Sequence, residues 1–294
     1  MKIIVILGPT SSGKSDLAVK LAQKFNGEIV SADSRQVYRE LDIGSGKITK
    51  KEMKGVKHYL LDVADPKKNF TVVQYQKLAK EAVKKIVKNG KLPIICGGTG
   101  FYIDSLIYDY KFPETKPRLK LRKELDKKEI KELLKILEKI NPKFYKKIDK
   151  NNKRRIIRAI ELTKEIGDIP KIIKNYPYQY LKIGIKKDSG TLKKLIYKRL
   201  KKRIKAGMLN EVKKLIKKGV SHKRLEDLGM EYRYVSRYLR GLINKQEMID
   251  LINREHRRYS KRQMTWFKKD KEINWITREK EAYDLIKNFM SPRP

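Results

Sequence analysis

The eight residues GPTSSGKS at positions 8–15 restrict this 294-residue chain more than any other feature. They stand between the apolar run KIIVIL and a segment of helical period beginning DLAVKLAQKF. Gly8, Gly13, Lys14 and Ser15 match G-x-x-x-x-G-K-[ST] in the setting that pattern needs, after a strand and opening a helix. Its glycines let successive backbone N–H groups turn inward around phosphate oxygens, the first helical turn adds a favourable dipole, and Lys14 brings a point charge. Gly8, Pro9, Thr10, Ser11, Ser12, Gly13, Lys14 and Ser15 are therefore the candidate diphosphate- or nucleotide-binding residues, and the Ser15 hydroxyl is the candidate ligand of a Mg2+ ion. The pattern calls for a di- or triphosphate without specifying ATP.

The rest of residues 1–110 alternates short apolar runs with helix-period segments, as in a parallel sheet covered by helices. Expected strands are KIIVIL (2–7), EIVSA (28–32), KHYLLDV (57–63) and LPIIC (92–96). Leu17, Ala18, Leu21, Ala22 and Phe25 recur at helical spacing before Asn26-Gly27, as do Val72, Tyr75, Leu78, Ala79, Ala82, Val83 and Ile86 before Asn89-Gly90. From Phe112 to about Tyr180 the strand signal is gone, leaving PETKPRLKLRKELDKKEIKELLKILEKI and NNKRRIIRAIELTKEIG as helical segments. YLKIGIK (180–186) reads as a return to the sheet, followed by a long basic helix breaking near Gly207. The expected fold class is thus α/β: a P-loop NTPase-like core with a parallel sheet flanked by helices, at residues 1–112 and 180–294, and a small all-helical insertion domain at 113–179.

Charge narrows the partners. The chain carries a formal +40, and its distribution is uneven: residues 1–110 hold 19 basic and 11 acidic side chains, leaving 55 against 23 for residues 111–294. Such an excess is the footprint of a protein that meets nucleic acid, although a lysine-rich chain can also reflect genome bias or a hot habitat. The single cysteine, Cys96, rules out a disulfide framework or a cysteine-built metal site and reads as a small buried residue at a strand end. No run approaches the roughly 20 apolar residues needed to cross a bilayer, and Met1-Lys2 leads directly into a strand, so the expected location is the cytoplasm and no membrane partner is expected. A monomer is the default expectation.

Two further segments fall on the ligand-bearing edge of the sheet. Asp33 and Ser34 end the second strand, where an aspartate read by itself is more readily a helix N-cap. Gly97, Gly98, Thr99 and Gly100 end another strand, where the glycines permit close approach of a ligand or simply form a turn.

GPTSSGKS, DSRQVY, HYLLDVADP, GGTGFY, RRIIRAIE, the basic helix running into GMLNEV, and KRQMTWFKK follow one another in an order that resembles the tRNA dimethylallyltransferases, also called tRNA isopentenyltransferases. The resemblance covers essentially the whole chain, and DSRQVY, GGTGFY and KRQMTWF carry more of it than the P-loop does. It implies transfer of a dimethylallyl group from dimethylallyl diphosphate to the N6 amine of the adenosine immediately 3′ of a tRNA anticodon, with diphosphate as leaving group and Mg2+ as cofactor.

The resemblance also implies roles. Asp33 would be the base that takes the amine proton, Thr99 would position the amine, and Arg203 would contact the diphosphate from the opposite side. Asp33, Ser34, Arg35, Gln36 and Thr99 would touch the extruded adenosine and its neighbours. Arg154, Arg155, Ile156, Ile157 and Arg158 would lie on the anticodon stem-loop, with the arginines sharing a face while Ile156, Ile157 and Ile160 turn largely inward. Lys261 and Arg262 would contact the RNA backbone, whereas Trp266 and Phe267 read as core. In Leu228–Arg233 the chain departs from the family's V-G-Y-[KR], and Arg154 replaces the usual glutamine. Prenylation of free adenine nucleotides, a small-molecule P-loop kinase and a nucleotide-sensing RNA-binding protein are the other readings.

Overall fold

The computed structural model describes residues 1–115, 117–170 and 172–291. Lys116 and Lys171 of the expected insertion, and 292–294 at the end of the expected core, lie outside the described residues. Two compact units emerge: Met1–Asp109 with Asn175–Pro294, and Tyr110–Lys174.

In chain order the first unit begins β1 (Lys2–Leu7), α1 (Lys14–Lys24), β2 (Gly27–Ala32), α2 (Lys50–Met53), β3 (His58–Tyr59), α3 (Val72–Lys88), β4 (Leu92–Gly97) and α4 (Gly100–Ile107). The second contains α5 (Leu119–Asp126), α6 (Ile130–Ile140), α7 (Pro142–Tyr145) and α8 (Lys153–Ile166). The first then resumes with β5 (Gln179–Ile185), α9 (Ser189–Lys205), α10 (Met208–Lys217), α11 (His222–Leu228), α12 (Met230–Leu239), α13 (Lys245–Phe267), β6 (Ile273–Ile276) and α14 (Glu279–Met290).

Among the described residues six strands form one parallel sheet, in the order β3-β2-β4-β1-β5-β6. Burial on both faces explains why the central strands read as unbroken apolar runs. Ile3, Ile4, Val5, Ile6, Ile94 and Ile95 have no exposed surface. Register decides where the site forms. Leu7 and Ala32 both pair with Gly97, so β1, β4 and β2 end at one level and their loops leave the sheet side by side.

The expected strand KHYLLDV shrinks to His58–Tyr59, because Leu60 and Asp62 take left-handed backbone conformations (φ 63° and 59°) that end the ladder. The long basic helix does break at Gly207, which starts α10. Beyond it, α10–α13 enclose a second core of Met208, Val212, Leu225, Tyr232, Val235, Met248 and Ile252, onto which Val37 and Leu41 pack. No helix among the described residues is long and apolar enough to cross a membrane.

Within the second unit, Ile156, Ile157 and Ile160 of α8 meet Leu125, Leu133 and Leu137 in a small core. Ile156 and Ile157 are thereby corrected as RNA-facing candidates, since helical period turns them inward and they are 0% and 6% exposed. Beneath the helices, the buried Glu161 carboxylate accepts from Arg122 Nε (2.9 Å) and NH2 (2.6 Å), from the Arg118 backbone N–H (2.7 Å), and from Arg158 NH1. Burial alone would raise this carboxyl, but the bonds from Arg122, Arg158 and Arg118 overcome it and hold the group down to about 2. A depressed carboxyl stabilises the fold above its unfolded value near 4.5, and that contribution disappears as pH falls toward 2. Glu161→Gln should therefore cost about 2 kcal/mol at neutral pH and flatten the acid limb of a denaturation-versus-pH curve between those values. An unchanged acid limb in the variant would contradict the clamp.

Candidate active site

The P-loop leaves β1 with Gly8 at φ 156°, Ser11 at 62° and Gly13 at 90°, a sequence of conformations that curls backbone N–H groups toward one concavity. Lys14 begins α1, and its Nζ donates to Pro9 O at 3.3 Å. Burial, with the Arg199 guanidinium close by, keeps the Lys14 ammonium below the ordinary lysine range. Ser12 Oγ is buried and has no hydrogen-bond partner among the described residues.

A second cation arrives from α9. Arg199 donates through NH1 to Thr10 Oγ1 (3.4 Å) and through NH2 to Gly46 O (3.2 Å), and burial together with the neighbouring Arg203 charge pushes its guanidinium down to about 10. Neither Lys14 nor Arg199 is ion-paired with a carboxylate among the described residues. Two half-buried cations, a buried hydroxyl and inward N–H groups make a concavity suited to an anion.

Arg203, the arginine expected at the diphosphate, is differently employed. Its guanidinium donates to Gly44 O (3.1 Å), Ser45 O (3.3 Å) and Glu231 Oε1 (3.0 Å), where His256 Nε2 also lies at 2.6 Å. Glu211 completes this clamp by accepting the backbone N–H groups of Asp42, Ile43 and Gly44 at 3.0, 2.6 and 2.9 Å. Arg199 and Arg203 share one face of α9, being four residues apart. The turn carrying Arg199 reaches Thr10 of the P-loop and Gly46 O, and the turn carrying Arg203 ties down Gly44 and Ser45.

The opposite wall comes from β2 and β4. Asp33 Oδ1 accepts from the backbone N–H of Arg35 (2.8 Å) and Gln36 (3.3 Å), which fixes the carboxylate over its own turn and leaves Oδ2 without a hydrogen bond among the described residues. Ser34 N donates to Thr99 Oγ1 at 3.2 Å, and Gln36 Nε2 donates to Gly46 O at 3.2 Å. Tyr259 lies beside Thr99 and Asp33, and burial there pushes its phenol up to about 12. Asp33 follows β2 at the same sheet edge from which the P-loop leaves β1, and its charge bears on both Lys14 and Arg199.

Helix α13 lies directly on the β4 loop. A Cβ at Gly98 would come 2.2 Å from Gln263 Nε2, and one at Gly100 would come 2.4 Å from Trp266 Cδ1. These glycines therefore admit the protein's own helix, rather than a ligand, to the backbone. Trp266 is corrected from the core: it is 40% exposed, donates Nε1–H to Asp104 Oδ2 (3.0 Å) and meets Phe101 edge-on, whereas Phe267 is buried as expected. Lys261 and Arg262 are exposed, and the Arg262 guanidinium lies 5.8 Å from the Tyr259 ring centroid. On the second unit, Arg155 is exposed at the start of α8, while Arg158 is drawn onto Glu161 and onto Thr115 Oγ1 (2.7 Å).

A model of the IPP transferase family matches residues 36–270. The tRNA dimethylallyltransferase of Acetivibrio thermocellus is 40% identical over 300 residues, covering 98% of this chain and 96% of that protein. The crystal structure of the full-length tRNA isopentenylpyrophosphate transferase from Bacillus halodurans superposes with a TM-score of 0.74 at 35% identity, covering 98% of this chain and 95% of the other. A eukaryotic dimethylallyltransferase, described in crystallographic snapshots of its action on tRNA, shares the fold with a TM-score of 0.82 at 24% identity, over all of this chain and 80% of the other.

Proposed function

Because the chain belongs to the IPP transferase family, we propose that it transfers a dimethylallyl group from dimethylallyl diphosphate to the N6 amine of the adenosine immediately 3′ of a tRNA anticodon. The observation that carries this reading is that a cation-lined P-loop and the Asp33 carboxylate leave level strand ends on one edge of the sheet. The donor's diphosphate sits in the P-loop against Lys14, Arg199 and the loop N–H groups. As the carbon–oxygen bond breaks, negative charge grows on the leaving diphosphate, and these preorganised donors stabilise it. The adenine amine is a poor nucleophile because its lone pair is delocalised into the ring. Asp33 Oδ2 accepts one of its protons as the new carbon–nitrogen bond forms, while Thr99 Oγ1 holds the amine in line.

The residues present suit Mg2+. No cluster of three or more carboxylate, histidine or cysteine side chains is found among the described residues. That agrees with an ion held by the Ser15 hydroxyl, substrate phosphate oxygens and water rather than by a protein cage. When bound, the metal would neutralise charge on the leaving group. Ser34, Arg35, Gln36, Arg154, Arg155, Lys261 and Arg262 are the tRNA contacts, acting on a single-stranded loop from which a base is extruded at little cost. Arg158 serves through Glu161 by fixing α8. The charge excess of residues 111–294 favours a polynucleotide acceptor over a free nucleotide.

The test supplies the purified protein with Mg2+, radiolabelled dimethylallyl diphosphate, ATP, unmodified tRNA and AMP. Label is expected in tRNA, at the adenosine 3′ of the anticodon. Label confined to AMP would instead establish free-nucleotide prenylation, and phosphate transfer from ATP without lipid consumption would establish a kinase.

A further inference from the structure

One buried side chain touches both halves of the site. Gln263, 6% exposed on α13, accepts the Thr10 backbone N–H at Oε1 (2.9 Å) and donates through Nε2 to Gly98 O (2.8 Å). Thr10 belongs to the loop that grips the leaving group. Gly98 immediately precedes Thr99, whose hydroxyl receives Ser34 N–H beside Asp33. A single rigid amide thus bridges the donor loop and the acceptor wall, and its partners on both sides are backbone atoms.

We infer that Gln263 is a positioning residue that sets the distance between the leaving-group cradle and the acceptor amine, and so directs the dimethylallyl group to RNA in preference to water. The inference rests on the prenyl-transfer reading. When the allylic carbon–oxygen bond breaks, the electron pair leaves with diphosphate, and the carbon is taken by whichever nucleophile is in reach. Attack by the amine forms the carbon–nitrogen bond and passes a proton to Asp33. Attack by water forms dimethylallyl alcohol and releases a proton to solvent. Productive attack needs the reacting atoms within about 3–3.5 Å, and a displacement of about 1 Å can cost 10²-fold. Water, being mobile, does not pay that penalty. Loosening the bridge therefore penalises transfer more than hydrolysis.

Two variants separate this from a role in folding alone. Gln263→Met keeps the side-chain volume but neither hydrogen bond, and Gln263→Asn keeps both groups on a stem too short to span the gap. Each is assayed with labelled donor and unmodified tRNA, counting prenylated RNA and dimethylallyl alcohol per donor consumed. Transfer is expected to fall about 10- to 100-fold, with the alcohol's share of products rising at least severalfold and the donor KM staying within about threefold of wild type. Counting per donor consumed makes the share independent of how much of a variant is folded. A share equal to wild type in both variants overturns the inference, whether or not the rate falls. A wild-type protein that labels no tRNA overturns the prenyl-transfer reading beneath it.

Discussion

Asp33→Asn should lower the rate of prenyl transfer by about 10²- to 10⁴-fold while leaving tRNA affinity within a few-fold of wild type. Asparagine is the sharper substitution because its amide oxygen can still accept the Arg35 and Gln36 backbone N–H groups that Oδ1 now accepts. The turn survives, and only the proton acceptor at Oδ2 is lost. Asp33→Ala removes the turn acceptor as well and should fall at least as far. Single-turnover measurement with saturating donor isolates the step. A rate within tenfold of wild type for Asp33→Asn would remove this carboxylate from the chemistry.

Glu231→Ala is expected to have the largest effect on stability, about 3–5 kcal/mol, and to lower the melting temperature by roughly 10 °C. Glu231 is buried, and its Oε1 receives both Arg203 NH1 and His256 Nε2. Burial would raise the carboxyl, but the charges and bonds of His256 and Arg203 hold it down to about 2. Truncation leaves the Arg203 guanidinium buried without its countercharge, and that uncompensated charge accounts for most of the cost. Glu231→Gln, retaining an acceptor of the same shape, should recover part of it. The loop at residues 42–46 loses one of its fasteners in both variants, and Gly46 O is what Arg199 NH2 holds. Thermal denaturation followed by circular dichroism measures the effect. A melting temperature within 2 °C of wild type for Glu231→Ala would show that the buried pair gives no net stabilisation.

The alternation of apolar runs and helical periods made the sheet readable, because strands buried on both faces leave a dense apolar signature at β1, β2, β4 and β5. Edge strands leave less. β6 is only INWI between charged segments, and β3 is cut short by two left-handed residues whose conformations their side chains do not announce. Asp33 and Thr99 were legible as strand-end polar residues on the P-loop edge. Arg199 and Arg203 were not separable, since helical period gives both the same face and only the distance from α9 to Thr10 distinguishes them. Gln263 was hidden more deeply. Its partners are a backbone N–H and a backbone carbonyl, which carry no residue identity, so the sequence around Thr10 and Gly98 holds no complementary mark. Glu231 and His256 lay hidden for a related reason: a polar residue in a charged helix is read as solvated until the fold buries it.

The bond from Thr10 to Gln263 joins positions 253 residues apart. During synthesis the ribosome therefore exposes the first loop long before the residue that fastens it has been translated. Until residue 263 clears the exit tunnel, a nascent chain carries the P-loop segment without the brace that aligns it.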